Sequence, residues 1–282
     1  MHGSYVQIYK GKYFLKPKHK PVSKVIAFDL DETLGSFIDL DILWRTLQKL
    51  EKQYDIAVDF NSVLDLYPEF LRYGILSILE FLYQKKKTKQ CHKIYIYTNN
   101  QCSQNWSAMI SDYFDYKLRT DEKLFDKIIH AFKINNKPVE LSRTTHDKTY
   151  NDFIRCTLLP KSTEICFLDN SEFHEMKAEH VYYIQPMSYY HNLNVDEIIS
   201  RLVHSNIGAL FLKHMDSKTL YDKIHANFVG LDSYRPTTKK TDIHVSQKIM
   251  YHLKEFFFLT NKKIRTKKIR YNLGRTTRKK QT

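Results

Sequence analysis

Cysteine is scarce in this chain of 282 residues, with only four, at positions 91, 102, 156 and 166. None forms a Cys-x-x-Cys pair, and no histidine pair at zinc-finger spacing accompanies them. This argues against a disulfide framework or a structural zinc. The expectation is four reduced thiols in an intracellular, cytoplasmic or nuclear, protein. Long apolar runs are also missing. The clusters Phe256-Phe257-Phe258-Leu259 and Ile75-Leu76 fall far short of the ~20 residues that a bilayer span requires. The first residues hold no apolar stretch of the secretory kind, so no signal peptide is predicted. Glycine numbers only seven, and neither a Gly/Ser linker nor an internal repeat is visible.

Aromatic side chains, by contrast, are plentiful. Seventeen Phe, 20 Tyr and two Trp supply apolar area for a sizeable core, which excludes a wholly disordered chain. The net charge of +14 is concentrated at the ends. Residues 1–24 hold six Lys and no acid, and residues 261–282 hold six Lys and four Arg and no acid, leaving 25–260 at −2. A tail of like charges repels itself, so 261–282 is expected to be disordered alone. It suits a solubilising extension, a nuclear import signal or a contact to nucleic acid.

Four runs read as buried strands: residues 24–30, 93–98, 164–169 and 181–185. The first three are near-continuously apolar, rich in β-branched and aromatic residues, and end in a polar residue, as parallel strands covered on both faces do. Helical spacing is predicted over 40–54, 69–84 and 125–132, then over 195–203, 219–228 and 246–259. In the 219–228 stretch Leu220, Ile224 and Phe228 form a buried stripe. Strands alternating with helices predict an α/β, Rossmann-like three-layer domain with a mainly parallel sheet. The expected division is a basic segment over 1–23, the α/β domain over 24–230, a helical extension over 231–260 and the basic tail. Residues 35–92 are too few for a large lid with its own sheet, so a small cap or none is expected.

The chemistry concentrates where strands end. Asp29-Leu30-Asp31-Glu32-Thr33-Leu34 follows the first strand directly. Two aspartates one residue apart face opposite sides of a strand, but where the chain turns both can address one crevice. Asp169 and Asn170 end another strand, and Thr98 a third. Such oxygen groups suit a hard cation such as Mg²⁺ and a phosphoryl group.

Asp29-Leu30-Asp31-Glu32-Thr33 resembles the Asp-x-Asp-x-Thr motif of the haloacid dehalogenase superfamily of phosphotransferases. Taken with Leu168-Asp169-Asn170-Ser171, it resembles more narrowly the phosphatases of the RNA polymerase II C-terminal domain. Tyr97-Thr98-Asn99 is similar to the second superfamily motif, and Arg72-Tyr73-Gly74 to that group's Arg-Pro-Gly helix start. The resemblance covers residues 24–190. It implies a Mg²⁺-dependent phosphomonoester hydrolase working through an aspartyl-phosphate, with phosphoserine or phosphothreonine proteins as substrates. By the same resemblance Asp29 is the nucleophile and Asp31 the general acid and base. Thr98 binds phosphoryl oxygens, and Lys148, with Lys161 as rival, neutralises charge. Asp29, the Asp31 backbone carbonyl and Asn170 hold Mg²⁺, and Asp169 orders the metal's water shell. Arg72 and Gly74 are expected to serve structure.

Two positions depart from the pattern: Glu172 stands where the family has proline, and so does Tyr73. Both lie near where substrate choice is set. A phosphatase for nucleic-acid ends or nucleotides is the second enzymatic expectation, and a non-catalytic scaffold the third. Tyr182, Tyr183, Tyr189 and Tyr190 suggest either a base-stacking surface or a core edge with hydroxyls in water, and the core edge is expected. The scattered histidines are expected to be packed or solvated.

Overall fold

The apolar runs fold as strands, and alternation within them builds the layers. The computed structural model describes residues 5–15, 22–228 and 238–276, with side chains of the last helix described through residue 259. Strand β1 (Val6–Lys10) and the short helix α1 (Lys12–Leu15) precede β2 (Lys24–Phe28), every residue of which is buried. Helices α2 (Ile38–Tyr54), α3 (Phe60–Asp65) and α4 (Ile75–Lys87) lead to β3 (Lys93–Tyr97). Helix α5 (Gln104–Leu118) precedes β4 (Lys127–Ile129) and a small hairpin of β5 (Lys133–Ile134) and β6 (Lys137–Pro138). Then come α6 (Tyr150–Thr157), β7 (Glu164–Leu168) and β8 (Val181–Pro186). The chain continues as α7 (Val195–Val203), α8 (Asn206–Phe211), α9 (Ser217–His225) and α10 (Lys239–Thr276).

The central sheet has the order β1-β8-β7-β2-β3-β4. All neighbours are parallel except the edge pair of β1 and β8. Ile26, Phe28, Ile94, Ile96, Cys166 and Leu168 point to one face and join the larger core with α2, α4, α5 and α7–α10. Val25, Ala27, Tyr95, Tyr97, Ile165 and Phe167 point to the other and pack on Phe153 and Cys156 of α6. The strand period of two thus divides each run between two helical layers, and the domain is an α/β, Rossmann-like three-layer fold. The chain leaves β2 towards β3 on one side, while β7 and β8 lie on the other. Beside β2 the strand order reverses, and in open α/β sheets that switch point is where ligands bind.

Several sequence expectations change. Residues 125–132 do not form a helix: 127–129 form β4, pairing with β3 through Tyr95↔Lys127 and Tyr97↔Ile129. Phe125, Ile128, Ile129 and Phe132 have helical spacing, but the Asp126 N–H donates to the Ile94 carbonyl at 2.7 Å and starts a ladder instead. The helix expected from 69 begins at Ile75, after a 3₁₀ turn at Pro68–Phe70. Gly74 supplies the break: its φ of 74° is left-handed, and a Cβ there would lie 2.2 Å from the Ser246 hydroxyl.

Residues 6–10 of the basic N-terminal segment are the sheet's edge strand. The helix expected over 246–259 starts at Lys239, and its backbone continues to Thr276 into the stretch expected to be disordered. Lys and Arg are good helix formers, and no proline interrupts them. Residues 1–4 and 16–21 of the expected basic segment, 229–230 at the end of the expected domain, 231–237 of the expected extension and 277–282 of the tail lie outside the described residues. Between β2 and β3 the described residues are helical, with no sheet of their own. Leu220, Ile224 and Phe228 are buried as expected. Tyr182 and Tyr183 are core residues rather than a stacking surface. Their hydroxyls meet protein rather than water, bonding Glu255 and the Ser171 carbonyl. All four cysteines are free thiols.

Candidate active site

Ladder register brings the motif residues together. The β2–β7 pairing sets Phe28 opposite Leu168, so Asp29 and Asp169, the next residues, leave adjacent strand ends. The Asp29 N–H donates to the Leu168 carbonyl at 2.8 Å and carries the pairing one step further. On the other side Phe28 pairs with Ile96 of β3, and Thr98 follows that strand, its N–H donating to the Ile129 carbonyl at 3.0 Å. Asp29, Asp31, Thr98, Lys148, Asp169 and Asn170 all line one crevice of about 230 Å³.

Lys148 is the electrostatic centre. Its ammonium is buried and donates to Asp29 and, at 2.6 Å, to Asp169. Burial works to lower its pKa, but the carboxylates of Asp169 and Asp29 outweigh burial and raise it. The group is therefore a cation held between two carboxyl groups, and burial pushes the Asp169 carboxyl up to about 7 even though the Lys148 charge opposes the shift. Local sequence explains its position: Thr149 caps α6, its hydroxyl accepting from the Asp152 N–H at 3.0 Å. Asp152 in turn accepts from the Thr144 N–H and hydroxyl, each at 2.9 Å, and fixes the incoming loop. Lys161 is exposed ahead of β7, at the end of the strand remote from Asp169, and is not part of the site.

Burial pushes the Asp31 carboxyl up to about 6, with Asp29 adding to the shift and the Asn100 amide opposing it. The Asn100 Nδ2 donates to Asp31 at 2.7 Å. Glu32, in left-handed backbone at φ 52°, also lines the crevice. Its carboxyl is pushed up to about 7 by burial and by Asp31 and Asp29. Thr33 ties the two motifs together: its hydroxyl donates to Asn170 Oδ1 at 2.8 Å and accepts from the Asn170 N–H at 3.0 Å. Arg72, as expected, serves structure. It is buried and donates to the carbonyls of Thr33 at 2.6 Å, Met187 at 2.9 Å and Glu32, pinning the motif loop.

Sequence reasoning missed two residues. Asn100 extends the polar run Thr98-Asn99-Asn100 after β3, which was the available signal. Arg143 had none, because it sits in a loop without periodicity. Its buried guanidinium donates to the carbonyls of Thr98 at 3.1 Å, His130 at 2.9 Å, His146 at 2.9 Å and Asp147 at 3.1 Å, and to Asn99 Oδ1 at 2.8 Å. It thereby joins the strand end that carries Thr98 to the loop that carries Lys148. The substituted positions Tyr73 and Glu172 are both exposed, and Glu172 pairs with Lys177.

Comparison of the chain with protein-family models, curated proteins and solved structures finds no match.

Among the described residues no three His, Cys, Asp or Glu side chains form a ready metal cage. The set expected for Mg²⁺ is of a different kind: the Asp29 carboxylate, the Asp31 backbone carbonyl and the Asn170 amide oxygen. It is an all-oxygen set with one carboxylate, which suits an ion that keeps several of its waters. Asp29, Asp31, Glu32 and Asp169 face one buried lysine, so the local charge also favours a cation.

Proposed function

We propose that this protein is a phosphomonoester hydrolase that works through an aspartyl-phosphate at Asp29 and acts on phosphoserine or phosphothreonine in proteins. One observation carries the reading: a buried Lys148 ammonium bridges Asp29 and Asp169 at adjacent strand ends, with Asp31 and Thr98 in the same crevice. A structural ion pair needs only one carboxylate. Here the lysine instead supports an anion beside a space with polar walls.

In this mechanism an Asp29 oxygen attacks phosphorus in line. The bond from phosphorus to the ester oxygen breaks, and that oxygen takes a proton from Asp31. Water then attacks the aspartyl-phosphate and gives its proton to Asp31. The acyl oxygen–phosphorus bond breaks, releasing inorganic phosphate and restoring the Asp29 carboxylate. Lys148 offsets repulsion between the carboxylate and the phosphoryl oxygens. The Thr98 hydroxyl accepts from the Asn100 N–H at 3.0 Å, so its own proton is left to donate to a phosphoryl oxygen. Asn100 orients Asp31 towards the leaving group. Asp29, the Asp31 carbonyl and Asn170 would hold Mg²⁺, with Asp169 ordering its waters, and the ion supplies further neutralisation and polarises phosphoryl oxygens.

The crevice, about 230 Å³, is below the ~300–1,000 Å³ of small-molecule sites. It takes a phosphoryl group while the rest of the substrate stays outside, which favours a macromolecule. A nucleic-acid-end phosphatase is the second reading, favoured by the ten basic residues of 261–282. No described helix is long and apolar enough to cross a membrane. Activity on an aryl phosphate, a phosphopeptide and a 3′-phosphorylated oligonucleotide, each with Mg²⁺ and with chelator, separates these readings. Hydrolysis of none of them with Mg²⁺ present overturns the proposal and leaves a scaffold.

A further inference from the structure

Four acids line the crevice, Asp29, Asp31, Glu32 and Asp169, and three of them are partnered. Asp29 and Asp169 accept from Lys148, and Asp169 also accepts from the Ser171 N–H at 2.8 Å. Asp31 accepts from the Asn100 amide at 2.7 Å. Glu32 is half-buried in the crevice wall, yet no described residue donates a hydrogen bond to its carboxylate. Arg72 is close enough to act on its charge, but this guanidinium donates to the carbonyls of Thr33, Glu32 and Met187 instead. Nearby acids are engaged, Asp41 with Arg45 and Glu172 with Lys177.

The backbone of Glu32 is fixed as well. Its φ of 52° is left-handed, a conformation that strains a residue with a Cβ and persists only where the surroundings impose it. Here Arg72 and the Tyr189 N–H impose it, both donating to the Glu32 carbonyl, the latter at 3.0 Å. A carboxylate without a donor thus stands at a set place in the same crevice as Asp29.

Resting on the phosphatase reading, we infer that Glu32 selects phosphoserine and phosphothreonine sites flanked by arginine or lysine, its carboxylate taking the flanking cation while the phosphoryl group sits at Asp29. A phosphoryl dianion offers Glu32 no donor, and the two repel. The missing donor therefore comes from the part of the substrate next to the phosphate. A guanidinium or ammonium supplies it together with a charge, and such bonds are roughly twice as strong as neutral ones. A phosphorylated nucleic-acid end would bring a second phosphate to the same place, where like charges are costly to juxtapose. Glu32 thus favours basic protein segments over nucleic-acid ends.

The test is kcat/KM of the full chain with Mg²⁺ near pH 8, above the raised Glu32 value. The substrates are phosphoserine peptides carrying Arg, Ala or Glu on both sides of the phosphoserine, with an aryl phosphate alongside. Wild type should prefer the Arg peptide to the Ala peptide by about fivefold and should turn over the Glu peptide more slowly still. Added salt should shrink this order, because it screens a partly exposed pair. A citrulline peptide, which keeps the shape of arginine without its charge, should fall to the Ala level. Glu32→Gln removes the charge at nearly unchanged shape, so the peptides should converge in this variant. Glu32→Asn, which suits left-handed backbone, should do the same. Each ratio is taken within one enzyme, so a general loss of activity does not imitate the effect. Wild type that hydrolyses the aryl phosphate but treats the peptides alike, or cleaves none of them, overturns the inference and leaves the phosphatase chemistry standing. A preference that survives both variants also overturns it, because the selecting charge would then lie on another acid. Hydrolysis of neither aryl phosphate nor peptide overturns the phosphatase reading, and the selection falls with it.

Discussion

The Lys148 ammonium lies 2.6 Å from Asp169 and also donates to Asp29, so one buried cation spans two neighbouring strand ends. Removing one partner of a buried charged pair leaves the rest uncompensated, at about 3–5 kcal/mol. Lys148→Met should lose stability on that scale in urea unfolding and should lose turnover. Because two like charges then face each other, added Mg²⁺ should raise the melting temperature of the variant more than that of wild type. Equal Mg²⁺ effects on the two proteins would place the ion elsewhere.

Asp31 and Asp29 should separate by leaving group. Asp31→Asn lacks the proton donor, worth ~10²–10⁴-fold in rate. In the first step the full loss should appear with a seryl phosphate and only a small one with an activated aryl phosphate, whose leaving oxygen needs no proton, while later turnovers of both stay slow because water still needs the base. Asp29→Asn should be inactive on both. Single-turnover release of the leaving group from the two substrates measures the difference. Equal losses for Asp31→Asn on both would remove it from the proton-transfer role.

Raised carboxyl pKa values make the metal-free protein pH-sensitive. Burial holds Asp31 up at about 6, above the ~4 of an unfolded aspartate. Such a group binds its proton more tightly when folded. Its contribution is therefore destabilising above the folded value and fades as pH falls to the unfolded one. In chelator, Asp31→Asn should melt higher than wild type near pH 8, and the two should converge at about pH 4. Thermal melts across that range check this, and a variant that melts lower throughout contradicts it.

Arg143 holds the Thr98 and Lys148 segments together through five acceptors. Each acceptor stripped of its donor costs about 1–3 kcal/mol. Arg143→Ala should destabilise by about 3 kcal/mol or more. Arg143→Lys should recover part of the stability but little activity, since one ammonium cannot serve both segments. Denaturant unfolding alongside kcat for the two variants distinguishes this from a purely structural role, in which activity would return with stability.

How much could be read beforehand follows from the physics of each element. The strands over 24–28, 93–97, 164–168 and 181–186 announce themselves because burial on both faces demands continuous apolar residues. Their ends carry the acids, so Asp29, Asp31, Thr98, Asp169 and Asn170 were legible as one crevice, whereas Lys148 was reached only through the family resemblance. β4 was not legible. It has three residues, and its apolar neighbours happen to match a helical stripe. β1 was hidden because an edge strand needs only its pairing with β8, and the basic residues from Lys10 onward masked the pattern. Arg143 acts through backbone carbonyls, which leave no trace in side-chain order.

Covalent trapping tests the central claim most directly. Asp31→Asn, incubated with an activated aryl phosphate and Mg²⁺ and quenched in acid, should form the intermediate but lack the base that resolves it. Mass spectrometry of the digest should find one phosphoryl group on the peptide carrying Asp29. The adduct should be absent in Asp29→Asn and in chelator. Wild-type hydrolysis of the same ester with no phosphoryl adduct on Asp29, or with the adduct on another residue, would contradict the account.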